Sequence, residues 1–329
     1  LRNHQRFHRS KQVKQMFDLT TIGEGQIRLT VPQGERLSNT RQLRMTAACS
    51  EANVAGLLSQ LGRHTSWCSV LPHSDLAERC ISEFRSVGVD MSNMIRVPEG
   101  RVALYFMEPG EPPMPSRVTY DRLNTAFREI RVEDVNWDSM LNTRLVFVTG
   151  ITTALTKATA KVIRHFVDAA HERNIDIALD VNYRGLLWSP ERAREVLTGI
   201  ASRSRIIFCS RKDAGIVFGI EGERAEVSRQ LREAFGAEYV VSTDGHNGVY
   251  YAGPDGLDDR QVDIVPVIDR PGAGDSFVAA TLHGFLGGDV RQGISYGLRV
   301  SKYALTHHGD LTHITPSELA IPTTTDIIR

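Results

Sequence analysis

The sequence predicts an α/β protein whose central sheet is mostly parallel and covered by helices on both faces. Beyond Leu141, short continuous apolar runs alternate with longer amphipathic ones, the pattern of strands buried on both sides and the helices that connect them. The chain has 329 residues, of which 41% are hydrophobic and 24% charged, so a large core can form without disulfides or metals. A contrasting stretch from Ile95 to Tyr120 mixes apolar and polar residues and is broken by prolines between Pro109 and Pro115. That composition suits exposed or edge strands joined by a loop.

Taken in order, Phe17–Gly23 reads as a strand ending on glycine, followed by a polar stretch broken by Pro32 and Gly34. Val54, Leu57, Leu58 and Leu61 then recur at helical spacing, with Ser50 as the expected N-cap and Gly62 as the stop. Val102–Met107 is a further strand, and Leu145–Gly150 a buried one. A helix over Lys157–Glu172 leads to the strand Ile175–Asp180, and a helix near Pro190–Ile200 leads to the strand Arg205–Cys209. Another helix precedes Glu238–Thr243, which turns back through Val249–Tyr251. A strand is expected at Val262–Ile268, and helices start near Ala273 and Val290. Ligands of such sheets bind at the carboxyl ends of the strands.

Lysine plus arginine and aspartate plus glutamate balance at 39 each, so the molecule offers no general field for nucleic acid or membrane, and any anion site must be local. Cys49, Cys68, Cys80 and Cys209 are scattered without metal spacing and read as buried thiols of a reducing compartment. No apolar run approaches the roughly 20 residues of a membrane span. Residues 1–15 are basic and read as a disordered tail preceding one domain over 16–329, with a cytoplasmic location expected.

The chemistry concentrates in Pro271-Gly272-Ala273-Gly274-Asp275-Ser276-Phe277, at the start of a predicted helix. Small residues there let backbone N–H groups converge at the positive end of the helix, an arrangement that binds anions. An aspartate in the first helical turn can take a proton from a hydroxyl held beside that anion hole. By spacing alone, a plain strand-to-helix turn with Asp275 complementing the dipole explains the run equally well.

The same run, Gly272-Ala273-Gly274-Asp275-Ser276-Phe277, resembles the C-terminal signature of the ribokinase/PfkB sugar kinases, and Asp269-Arg270 before it resembles the 2-keto-3-deoxygluconate kinases. Gly23-Glu24 with Ile27-Arg28-Leu29 is similar to the family's first strand, and Glu51-Ala52-Asn53-Val54-Ala55 to its N-terminal signature. Tyr105-Phe106 and Ser116–Arg122 resemble lid strands, and Asp180-Val181-Asn182-Tyr183-Arg184 with Leu187-Trp188 again resembles the ketodeoxygluconate kinases. The resemblance implies a ribokinase-like three-layer αβα sandwich with a small β-sheet lid from about 26–47 and 96–121. It implies ATP and Mg2+ as cofactors, with a monovalent cation as a further candidate, and a homodimer paired through the lid.

Residue by residue, the resemblance implies that Asp275 is the base and that Gly272, Ala273 and Gly274 form the anion hole. Ser242, Thr243, Gly245 and Gly248 match the nucleotide-binding turn. Asn182 and Arg184 match positions near the phosphates, and Ala48, Cys49, Asn53, Tyr105, Arg184, Asp275 and Asp310 match the substrate side. Arg184 makes independent sense, since a guanidinium grips a carboxylate or phosphate bidentately; its plain alternative is a surface arginine in a turn.

Two departures stand out. Ala48 and Cys49 replace a glycine pair, adding side chains where sugar hydroxyls would lie. Ser210-Arg211-Lys212-Asp213 replaces an Asn-x-x-Glu motif associated with magnesium; Asp213 either holds a metal-bound water or serves as a helix N-terminal acid. His307-His308 does not share a helix face, which argues against a metal site. Arg101 and Arg117 are lid cations with an equally good reading as exposed strand charges. The expected activity is ATP-dependent phosphorylation of a primary hydroxyl of a sugar or sugar acid, 2-keto-3-deoxygluconate first. A kinase for another sugar or a nucleoside, and a binder without turnover, remain alternatives. No GxGxxG follows the first strand, which disfavours a dinucleotide enzyme.

Overall fold

The structure, a computed structural model, describes residues 15–110 and 113–320. The expected basic tail lies outside the described residues except for Gln15. In chain order the strands are β1 Phe17–Ile22, β2 Gln26–Thr30, β3 Arg44–Ala48, β4 Thr65–Cys68, β5 Val70–Pro72, β6 Ile95–Val97, β7 Ala103–Glu108 and β8 Arg117–Asp121. They continue as β9 Thr143–Thr149, β10 Asp176–Asp180, β11 Ile206–Phe208, β12 Tyr239–Thr243, β13 Val249–Gly253 and β14 Gly256–Arg260.

The main sheet has the order β14-β13-β12-β11-β10-β9-β1-β4. β4 through β12 pair in parallel, and the last two strands form an antiparallel hairpin at one edge. Alternation along each strand sorts side chains to the two faces. On β9, Leu145 and Phe147 join a core shared with the helices Ser50–Gln60, Ala273–Leu286 and Val290–Leu305. Val146 and Val148 join an opposite core shared with the helices Lys157–Glu172, Pro190–Ala201 and Ala225–Phe235. The result is three layers, as expected. No helix of the described residues is long and apolar enough to cross a membrane.

A second sheet, β3-β2-β7-β8, forms the lid. It leaves β1 through Gly23-Glu24-Gly25 and returns at Ala48 directly into the helix Ser50–Gln60. The lid therefore begins and ends at the carboxyl edge of the main sheet.

Three expectations need correction. Arg96 belongs to β6, which pairs with β5 in a separate two-stranded sheet, so the lid takes only residues from Ala103 onward in that region. Val262–Ile268 forms no strand: Pro266 cannot donate to a ladder, Ile264 is 88% exposed, and the sheet edge is already occupied by β14. Ser50 is not the N-cap of its helix; Cys49 holds that position without a side-chain cap, and the Ser50 hydroxyl is used in the site described next.

Candidate active site

A cavity of about 690 Å³ opens at the carboxyl ends of the parallel strands, between main sheet and lid. Asp275, Gly272 and Gly274 line it from the start of the helix Ala273–Leu286, and Ala48, Cys49, Tyr105, Asn182, Arg184, Asp213, Thr243 and Asp310 line it from other elements. Residues separated by more than 200 positions in sequence thus meet in one cleft.

Asp275 is held from both sides. Ser50 Oγ donates to its Oδ1 at 2.6 Å and Asn53 Nδ2 donates to its Oδ2 at 2.7 Å. Ser50 and Asn53 are three residues apart on one helix, so they share a face. Burial pushes the carboxyl up, the hydrogen bonds from Asn53 and Ser50 pull it down, and the charges of Asp310 and Glu51 push it up again, to about 6. A carboxylate with that value is ionised at neutral pH yet basic enough to accept a proton. Asn53, expected on the substrate side, is 3% exposed and acts here by holding Asp275.

The turn before Asp275 has the geometry of an anion site. Gly272 adopts φ +88°, and a Cβ there would lie 2.0 Å from the Asp310 carbonyl oxygen, so only glycine fits. Gly274 differs: a Cβ there would meet nothing within 4 Å, leaving open space above the helix start. The amides of Gly274 and Asp275 have no partner among the described residues, whereas that of Ala273 reaches the Arg270 carbonyl at 3.4 Å. Bare amides at a helix N-terminus can bind an anion, here with a carboxylate beside them.

Further acids and cations surround this centre. Asp180, at the end of β10, lines the cavity, and burial with the charge of Asp275 pushes its carboxyl up to about 8 despite nearby Arg184. Asn182, with φ +36°, donates to Asp180 at 3.2 Å and to Ser50 at 3.4 Å. Asp213 accepts the Tyr183 amide at 3.3 Å, and burial raises its carboxyl as well. Among the described residues, the Arg184 guanidinium hydrogen-bonds only to the Tyr183 carbonyl, at 3.4 Å. Lys212 and Arg270 line the same mouth without a side-chain hydrogen bond among the described residues.

The wall below the lid carries the unusual Ala48-Cys49 pair. Both are buried, and Cys49 Sγ donates to Glu51 Oε2 at 3.3 Å. Glu51 Oε1 accepts the hydroxyls of Thr149 at 2.5 Å and Thr152 at 2.6 Å. Opposite, Glu24 is bound by Arg122 at 2.5 Å and Thr125 at 2.5 Å. On the lid, Tyr105 donates its hydroxyl to both oxygens of Asp310, at 2.8 and 2.7 Å, so these two expected substrate residues engage each other. In the expected nucleotide turn only Thr243 lines the cavity; Ser242 is fully buried, and Gly245 (φ +56°) and Gly248 (φ +148°) shape the turn into β13. Arg101 pairs with Asp121 on the exposed lid.

Sequence reasoning gives Ser50, Asp180, Lys212 and Glu51 no role in the site, and all four line the cavity. The helical spacing of Ser50 and Asn53 and the strand-end position of Asp180 were usable signals. The others are brought in by folding over long sequence distances.

The chain is similar to known proteins over most of its length. The model of the pfkB family carbohydrate kinases matches residues 16–317. A 2-dehydro-3-deoxygalactonokinase of Haloferax volcanii is 32% identical over 304 residues, covering 92% of this chain and 95% of the relative. A 2-dehydro-3-deoxygluconokinase of Bacillus subtilis is 25% identical over 304 residues, covering 89% of this chain and 91% of its own. The crystal structure of a 2-dehydro-3-deoxygluconokinase from Thermotoga maritima superposes with a TM-score of 0.86 at 26% identity, covering 93% of this chain and 98% of that one. Sequence, fold and the Asp275 turn converge: the chain belongs to the pfkB family of carbohydrate kinases.

Proposed function

We propose that this carbohydrate kinase transfers the γ-phosphoryl group of ATP to a primary hydroxyl of a 2-keto-3-deoxy sugar acid, with Asp275 as the base. The single observation that carries the reading is Asp275 itself, clasped by Ser50 and Asn53 beside two unpartnered amides in a large cleft. The acceptor hydroxyl lies against Asp275, which takes its proton as the oxygen attacks phosphorus. The Gly274 and Asp275 amides gather charge on the transferred group, and Arg184, Lys212 and Arg270 attract anions to the mouth. The lid sheet excludes water, the competing acceptor.

The acid set suits magnesium. No group of three or more His, Cys, Asp or Glu among the described residues forms a closed metal cage. Mg2+ favours one or two carboxylates completed by water and substrate phosphate, and Asp180 and Asp213 supply such donors at the cleft. When bound, the ion neutralises phosphate charge. Asp213, and Asp180 once the cation's charge has ionised it, would hold the ion.

The names of the relatives favour sugar acids, and Arg184 supplies a guanidinium free to meet a carboxylate. A second reading, a different sugar or a nucleoside, is favoured by the side chains of Ala48 and Cys49 in the cavity wall. The exposed lid strand β8, with Val118 and Tyr120 at the surface, supports pairing of two copies through the lid. A panel of sugar acids, ketoses and nucleosides assayed for ATP consumption tests the reading. We expect 2-keto-3-deoxy sugar acids to be preferred and Asp275→Asn to lower kcat by about 10³-fold or more. Retention of full turnover by Asp275→Asn would remove the proposal.

A further inference from the structure

Arg28 is an unusual residue for the middle of a strand. It sits on β2 between buried Ile27 and half-buried Leu29, and it is itself 0% exposed. A buried guanidinium is tolerable only if its donors are satisfied. Nη1 donates to Asp310 Oδ1 at 2.6 Å, Nη2 to Asp269 Oδ2 at 2.6 Å, and Nε to Thr30 Oγ1 at 2.8 Å. Buried ion pairs of this kind are often no more stabilising than apolar packing, so stability alone does not account for it.

Its partners explain its place. Asp269 also accepts the Gly309 amide at 3.2 Å and the Arg270 amide at 3.0 Å, tying the 269–274 turn to the 309–312 turn. The Asp310 carbonyl presses against Gly272, the first residue of the anion site. From the lid, Tyr105 joins Arg28 on Asp310. One lid strand therefore holds, through one side chain, both turns that shape the site.

We propose that Arg28 is a positioning residue for phosphoryl transfer: by bridging Asp269 and Asp310 it locks the lid to the anion-binding turn. The inference rests on the kinase reading above. A docked lid sets the Gly272–Asp275 turn, and a displaced lid must break two charge-assisted hydrogen bonds in a dry setting. Arg28 is fully buried and is not among the residues lining the cavity, so it acts through Gly272.

The test uses the full chain, ATP with magnesium and the sugar acid that the wild type accepts. Arg28→Lys keeps the charge but reaches one carboxylate at a time. We expect its kcat to fall by about thirtyfold, KM for ATP to stay within about threefold, and ATP hydrolysis without acceptor to rise relative to transfer. A merely structural role would lower the melting temperature and the active fraction while leaving these ratios unchanged, and that result overturns the inference. If Arg28→Lys melts below the assay temperature, Asp269→Asn is judged by the same criteria. A wild type that transfers nothing overturns the kinase reading and the inference together. A wild type that transfers, with Arg28→Lys unaffected, overturns the inference alone.

Discussion

Asn53 donates its side-chain amide to Oδ2 of Asp275 at 2.7 Å, while its own Oδ1 is buried without a hydrogen-bond partner among the described residues. The residue thus leaves one hydrogen bond unmade while holding Asp275, which marks its orientation as tied to that carboxylate.

That contact lowers the proton affinity of Asp275, so its removal has a defined sign for a base at this position. Wild-type kcat/KM should fall as pH drops through about 6, where Asp275 takes up a proton. In Asn53→Ala, with burial still pushing the carboxyl up, this acid limb should move to higher pH. A pH–rate profile checks it; a limb that stays put or moves to lower pH contradicts the assignment.

The two glycines of the turn should separate stability from function. Gly272→Ala forces a left-handed residue against the Asp310 carbonyl at 2.0 Å and should cost about 2 kcal/mol or more, read by denaturant unfolding. Gly274→Ala meets nothing within 4 Å, so it should unfold like the wild type. Its methyl group nevertheless stands where phosphate oxygens approach, and kcat should fall by about tenfold or more.

Asp180 should make stability depend on pH. Its folded carboxyl is raised to about 8, above the ordinary 3.8 of the unfolded chain. Between those values the folded state binds the proton that the unfolded state has lost, so this contribution to stability falls as pH rises through the window. Asp180→Asn should therefore gain in melting temperature over wild type at pH 9 and gain least at pH 4. Equal differences at both pH values would refute the shift.

Arg184 faces the cleft with one long contact to a carbonyl. Arg184→Ala should raise KM for the sugar acid or for ATP by about tenfold or more, with little change in unfolding. Comparison of the two KM values shows which anion it grips.

Much of the frame is legible in the residues. The helix Lys157–Glu172 lies where its apolar spacing places it, and Leu145–Thr149 is a buried parallel strand, because central strands buried on both faces have unbroken apolar runs; Tyr239–Thr243 pairs in parallel on one side and antiparallel on the other. Val262–Ile268 has a similar apolar content and is not a strand. Composition cannot report that β14 already closes the sheet edge. Arg96 lies outside the lid for a related reason: strand pairing is a long-range choice, and its strand pairs with β5.

The chain by itself determined the family, the helix start at Ala273 and the place of Asp275 in its first turn, because local turn chemistry and periodicity are written in contiguous residues. Only the tertiary structure decided that Ser50 and Asn53 hold that aspartate, that Asp180 stands close enough to exchange charge effects with it, and that Arg28 spans 241 and 282 positions to reach Asp269 and Asp310. Hydrogen bonds and buried charges act over a few ångströms of space, so their partners are set by which strands and loops folding brings together.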